Sequence, residues 1–381
     1  LLLGLCFWGL FASMKAKKVL LNTALLCFTM IVIGFSLFSI VIIRSSAKTP
    51  TNEYQPDNPF TLVRYLGREQ YGSNPLIYGQ AFDSPYTLEE TKYWAPMPQK
   101  NILGEVEPHY IKANGPADVK YYPEGKMLFP RMWSSDERHK EFYMNYIENP
   151  QEEQYVDEGG KTKKFIMPSF SDNLMYFFDF QMNWMYWRYF MWNFAGRQNE
   201  IHGSEPNQFA GNWESGIDFI DKARLGDQSD APGYLGENKG KNHYYMLPLL
   251  LGLIGVFFQC ARDRRGCWVT FLMFFMTGIA IVIYLNQPPY QVRERDYAYA
   301  GSFYTFSIWI GMAVAALYTW ITELCQSASR KGISTCVAGT VTALCLGVPA
   351  LMASENWDDH DRSNRYTAVE MAKNYLNSVG E

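Results

Sequence analysis

The residues best suited to chemistry lie between Asn286 and Ser302, in the run NQPPYQVRERDYAYAGS. Four charges of alternating sign, Arg293, Glu294, Arg295 and Asp296, sit among tyrosines between two uncharged apolar stretches. Charge at the edge of a bilayer is costly unless it is paired or used. Two arginines two residues apart can fork onto phosphate oxygens, because each guanidinium offers planar paired donors. Arg293 and Arg295 are therefore candidate phosphate ligands. Glu294 and Asp296 are expected to orient them, with Tyr297 adding a hydroxyl, and Asp296 could alternatively serve as a base. A set of structural ion pairs closing a helical hairpin is the plainer reading of the same residues.

A second group follows in SENWDDHDRSNRY: Asp358, Asp359, His360, Asp361 and Arg362. Carboxylates with an imidazole suit a divalent ion, and Arg362 could act as a further clamp on phosphate. Consecutive residues cannot all face one ion, so a solvated cap for the following helix is the simpler expectation. No metal site is assigned, and a divalent metal stays an option only. His109, His139, His202 and His243 stand apart from other ligand-type residues. There is no phosphate-cradling glycine loop, zinc signature or nucleophile elbow.

The third group is DNLMYFFDFQMNWMYWRYFMWN, Asp172–Asn193. Its length would allow a span, but Asp179, Asn183 and Arg188 interrupt it. Asp172, Asp179 and Asn183 fall on one face of a regular helix. The expectation is an amphipathic helix lying in the outer membrane interface, with Trp184, Trp187 and Trp192 at headgroup level. It could roof a lipid-exposed cleft. The competing reading is a helix buried in a soluble domain.

The elements that must position these groups are hydrophobic. A span needs about 20 apolar residues. Leu1–Ser13, Val19–Ile43, Tyr244–Ala261, Trp268–Leu285, Phe303–Thr322 and Ile333–Ala353 meet this wholly or in part. The third is the weakest, with Pro248 and three glycines. The complete spans have no ionisable interior residue, which weighs against an ion-coupled carrier. Lys15, Lys17 and Lys18, then Arg262, Arg264 and Arg265, then Arg330 and Lys331 mark alternate short loops as cytoplasmic by the positive-inside rule. The long polar segment, the RERD loop and the tail then face outward. The organisation expected is spans in 1–43, an extracytoplasmic segment over 44–243 containing the interfacial helix 172–193, four spans in 244–353, and an extracytoplasmic tail over 354–381. That tail should begin a helix at Ser363.

The chain has 381 residues, a net charge of −4 and 16% aromatic residues. No basic domain stands out, which argues against a nucleic-acid partner. The aromatic content suits membrane–water interfaces. All seven cysteines lie in or beside apolar runs. The first residues open inside such a run, so an internal fragment of a longer membrane protein is expected.

Taken together, NQPPYQVRERDYAYAGSFYTFSIWIG, SENWDDHDRSNRYTAVEMAKNYLNS, DNLMYFFDFQMNWMYWRYFMWNFAGRQN and NKGKNHYYMLPLLLGLIG resemble a family of large bacterial inner-membrane proteins. That family was long catalogued as a domain of unknown function and is related to the eukaryotic transmembrane protein O-mannosyltransferase. The resemblance covers nearly the whole chain. It implies a mainly α, polytopic helical membrane protein of type C glycosyltransferase-like fold, with a long mixed, loop-rich extracytoplasmic segment. It also implies transfer of a sugar from a polyprenyl phosphate to a protein or glycan acceptor at the periplasmic face. The lipid-linked donor and membrane lipid would be its partners, and the catalytic acid would lie upstream of this sequence. The competing classes are a transporter and a non-catalytic membrane scaffold.

Overall fold

A computed structural model describes every residue except 1, 51, 53–54, 68–73, 101–105, 116, 229–231, 234–237, 328–330, 361–362, 364 and 380–381, together with all side chains of those described except 96, 98–100, 106–108, 325–327, 331–335 and 360. The protein is mainly helical. Among the described residues, four helices are long and apolar enough to cross a membrane: Val19–Ser46, Arg264–Leu285, Asp296–Leu324 and Cys336–Asp359. Leu2–Lys15 and Leu247–Arg262 are shorter apolar helices. The hydrophobic runs in the sequence thus become helices, and the last of them continues past Ala353 to take in Glu355, Asp358 and Asp359.

The chain divides into two compact units. The first comprises Leu1–Ser73 and Thr87–Lys120. Its two N-terminal helices are pinned by Asn22, whose amide donates to Leu10 O at 3.0 Å and to Ser13 Oγ at 2.9 Å. A polar clasp of this kind suits helices in a medium where apolar contact gives little net drive. The helix Pro59–Leu66 starts under Asn58, whose side chain accepts from Phe60 and Thr61, and proline follows the cap as helix geometry prefers. Its Arg64 lies 4.3 Å from the Tyr93 ring on the hairpin of Lys92–Lys100 and Val106–Asn114.

The second unit comprises Asn74–Tyr86 and Tyr121–Glu381. Two glycines let its helices Leu247–Arg262 and Ala300–Ser327 approach closely. A Cβ on Gly255 would meet the Trp309 carbonyl, and one on Gly252 would meet the Phe306 ring. Small residues at a helix crossing are the usual means of close packing in a bilayer. Trp309 Nε1 adds a 2.7 Å bond to Gln259 at the same crossing. Cys260 and Cys267 form a disulfide that closes the loop containing Arg262, Arg264 and Arg265.

The aromatic helix differs from the surface-lying element expected. It runs through Phe170–Tyr176, a π-helical stretch Phe177–Trp187 and Arg188–Phe194. The wider π turn breaks the 3.6-residue spacing, so Asp172 is buried while Asp179 and Asn183 are exposed. Trp184 and Trp192 are 8% and 7% exposed, and both indoles donate to backbone carbonyls of the protein, at Gly203 and at Gly211 and Asn212. Only Trp187 of the three is exposed. The helix packs through Tyr186, Phe190 and Phe194 onto Phe274, Phe303, Phe306 and Trp309 of the apolar helices. It is a core element, because aromatic surface on nearly all sides must find partners.

Candidate functional site

The loop after Leu285 is anchored before its charges begin. Asn286 ends the preceding helix in the left-handed region, with φ of 42°, a conformation asparagine tolerates better than most residues. Its side chain donates to Pro75 O at 2.7 Å and Pro130 O at 2.8 Å and accepts from Gln181. Arg131, fully buried, donates to Ile283 O at 2.9 Å and Leu76 O at 2.7 Å and stacks 3.9 Å over Phe129. Burial pulls its guanidinium down to about 10. These bonds fix the start of the RERD loop to the polar segment.

The charges divide into two kinds. Glu294, expected to orient Arg293 and Arg295, makes no ion pair or hydrogen bond with either among the described residues. It is paired with Arg188 of the aromatic helix at 2.9 Å, and also accepts from Tyr189 Oη and from Gly203 N at 2.8 Å. Burial alone would push the Glu294 carboxyl up. The Arg188 charge and these hydrogen bonds outweigh burial and hold it below its ordinary value. Arg188 itself donates to Trp184 O and Gly211 O and lies 4.2 Å over the Trp184 ring. Gly211, at φ of +65°, leaves it room, since a Cβ there would come within 2.9 Å of Arg188 Nη1. The pair is saturated, and that makes it structural.

Arg293 and Arg295 are of the other kind. Arg293 is exposed, 5.7 Å from the Tyr297 ring. The Arg295 backbone N–H lies 3.4 Å from Tyr189 Oη. Among the described residues, neither guanidinium makes a hydrogen bond or ion pair, and Arg295 Nε is buried with no partner. Asp296 is half-buried at the start of the turn Asp296–Tyr299, and its carboxylate likewise has no hydrogen bond or ion pair among the described residues. Tyr297 is exposed.

A third open guanidinium, Arg197, was missed in the sequence. The strand Gly196–Arg197 pairs with Asn242–His243 directly after the aromatic helix. Arg197 stacks 4.1 Å over Trp192, its Nε buried without a partner. Burial holds its guanidinium below the ordinary value, opposed by Glu294, Asp296 and Glu200. These neighbours place it beside the RERD loop, although almost 100 positions separate the two in the chain. The available signal was weak: an arginine just after an aromatic run, before a glycine-rich loop.

The tail group is only partly brought in. Asp359 accepts from Asn242 Nδ2 at 2.8 Å, Glu355 accepts from His243 N at 3.0 Å, and Asn356 donates to Tyr244 Oη at 2.6 Å. Since Asn242 opposes Arg197 in the strand pair, one end of the tail reaches the Arg197 side of the site. Asp358 is exposed. Asp361, Arg362 and the His360 side chain lie outside the described residues. Among the described residues no group of three or more His, Cys, Asp or Glu could hold a metal ion. His243 does not stand apart as expected: Glu214 lies 3.3 Å from its Nε2 and 3.3 Å from Lys241 Nζ. The tail helix begins at Thr367 under Tyr366, later than Ser363.

Residues 72–178 match the model of a family of unknown function. That stretch holds Arg131, which bonds the helix end before the loop, and Asn173, which accepts from the Arg131 backbone, and none of Arg197, Arg293, Arg295 or Asp296. No curated protein and no solved structure matches the chain.

Proposed function

We propose that this chain is part of a membrane glycosyltransferase that moves a sugar from a polyprenyl phosphate to a hydroxyl of a protein or glycan, at the periplasmic face of a bacterial inner membrane. The observation that carries this reading is the set of open guanidiniums, Arg197, Arg293 and Arg295, at the end of the apolar helix Asp296–Leu324. A guanidinium with no protein partner among the described residues is suited to a lipid phosphate, and the apolar helix that follows it to the lipid chain. The resemblance of the RERD and DDHDR segments to the family related to protein O-mannosyltransferase supports the sugar. The cations would stabilise the leaving phosphate, and Arg362 is kept as a further clamp. No residue of this chain is assigned as the base that takes the acceptor proton.

The test is transfer of radiolabelled sugar from lipid carrier by membranes containing the full-length protein. Arg293→Ala and Arg295→Ala should each sharply lower transfer while the protein remains folded. Undiminished transfer by both variants would overturn the assignment. Orientation is checked separately with a membrane-impermeant maleimide on intact spheroplasts. Arg293→Cys should be labelled and Lys17→Cys should not.

A further inference from the structure

We propose that Arg197 and Arg295 hold a phosphodiester and that Asp296 weakens the site's grip on the doubly charged monoester left after transfer. This rests on the phosphate reading above and adds to it a way for the site to tell donor from spent carrier. Arg188 and Glu294 cancel each other in a closed, hydrogen-bonded pair. What remains at the centre is Arg197 and Arg295 against Asp296, with Arg293 and Glu200, of opposite sign, exposed at the rim. Asp296 is spared every hydrogen bond that Glu294 makes two positions earlier. No side-chain bond caps the turn Asp296–Tyr299. Arg197 reaches the same place from the other side: it lies 4.1 Å over Trp192, whose ring is 4.9 Å from that of Tyr189, and the Arg295 N–H lies 3.4 Å from Tyr189 Oη. A half-buried carboxylate beside two open guanidiniums, bonded to neither, sets the charge of the site without closing it.

The chemistry gives that charge a use. In transfer the acceptor oxygen bonds to the anomeric carbon as the bond from that carbon to the phosphate oxygen breaks. The electron pair stays on the phosphate, and the acceptor proton leaves to solvent. The donor diester carries one negative charge. The spent carrier approaches two above its second pKa of about 6. Repulsion from Asp296 scales with ligand charge, so it opposes the monoester about twice as strongly, in free energy, as it opposes the diester.

The experiment is calorimetric titration of the detergent-solubilised full-length protein at pH 8 with farnesyl phosphate, its methyl diester and inorganic phosphate. Asp296→Asn should tighten the diester about threefold and the monoester about tenfold, the square of the first factor. Asp296→Glu should keep the wild-type ratio, and unfolding midpoints check that both variants are folded. Equal gains for the two esters, or none, overturn the role of Asp296 and leave the phosphate reading intact. If neither ester binds the wild-type protein, the phosphate reading falls and this inference with it. Inorganic phosphate binding as tightly as farnesyl phosphate would overturn the lipid carrier as the source of the anion.

Discussion

The two sides of the RERD loop use arginine in opposite ways. On the inner side, Arg188 and Glu294 are 2% and 16% exposed and share their charges with a tyrosine hydroxyl, backbone groups and aromatic faces. On the outer side, Arg197 and Arg293 lie over aromatic rings, and neither they nor Arg295 pair with a carboxylate among the described residues. The difference teaches how to separate scaffold from site among similar residues. A saturated charge holds the chain, and a half-satisfied one at the surface has capacity left for a ligand.

The strongest way to break the comparison is to remove one half of the inner pair. Arg188→Ala leaves Glu294 buried without its counterion, a change expected to cost about 3–5 kcal/mol. It should collapse the unfolding midpoint in detergent. A double change, Arg188→Met with Glu294→Leu, should recover much of that loss, because apolar replacements of a buried pair are often neutral or better. A double variant as unstable as the single would show that the shape of the pair matters beyond its charge.

The outer arginines should respond the other way round. Arg197→Ala or Arg295→Ala should shift stability by no more than about 1 kcal/mol, since little in the protein depends on either head group. Each should weaken farnesyl phosphate by about tenfold or more, the worth of one charge-assisted contact. A large loss of stability with unchanged binding would move Arg197 into the scaffold class.

Acid sharpens the same contrast. The folded-state pKa of Glu294 is depressed, so its stabilising contribution is present above the unfolded carboxylate range near 4.3 and is lost as pH falls through the lower folded value. Unfolding midpoints should therefore drop on the acid side of that range. Glu294→Gln, though less stable at neutral pH, should lose part of this acid dependence.

Much of this was legible in the sequence, and the rest was hidden for physical reasons. The apolar runs became helices because about 20 apolar residues specify a span almost by themselves. The RERD charges stood out because charge beside a membrane needs a reason. The partner of Glu294 could not be read, because it comes from 106 positions earlier in the chain, and local spacing says nothing about which carboxylate a distant arginine will meet. The aromatic helix was placed at the surface because three tryptophans resemble an interfacial belt. Its π turn and the carbonyls of Gly203, Gly211 and Asn212, which draw Trp184 and Trp192 inward, have no signature in a 3.6-residue pattern.

The smallest effect is expected at the far end of the helix Asp296–Leu324, and it tests whether burial or distance sets the strength of a charge pair. Arg262 and Glu323 approach to 2.7 Å, closer than the 2.9 Å of Arg188 and Glu294, yet their side chains are 54% and 58% exposed. If distance governed, this pair would be the stronger. Solvent and salt screen exposed charges, and two long side chains lose freedom in meeting, so such pairs contribute about 0–1 kcal/mol. A double-mutant cycle with Arg262→Met and Glu323→Gln should give a coupling in that range that fades in high salt. The cycle on Arg188 and Glu294 should give a coupling several times larger that salt barely alters. Equal couplings would mean that the inner pair is no more than a surface contact covered by aromatic rings, and the division between closed and open arginines would lose its physical basis.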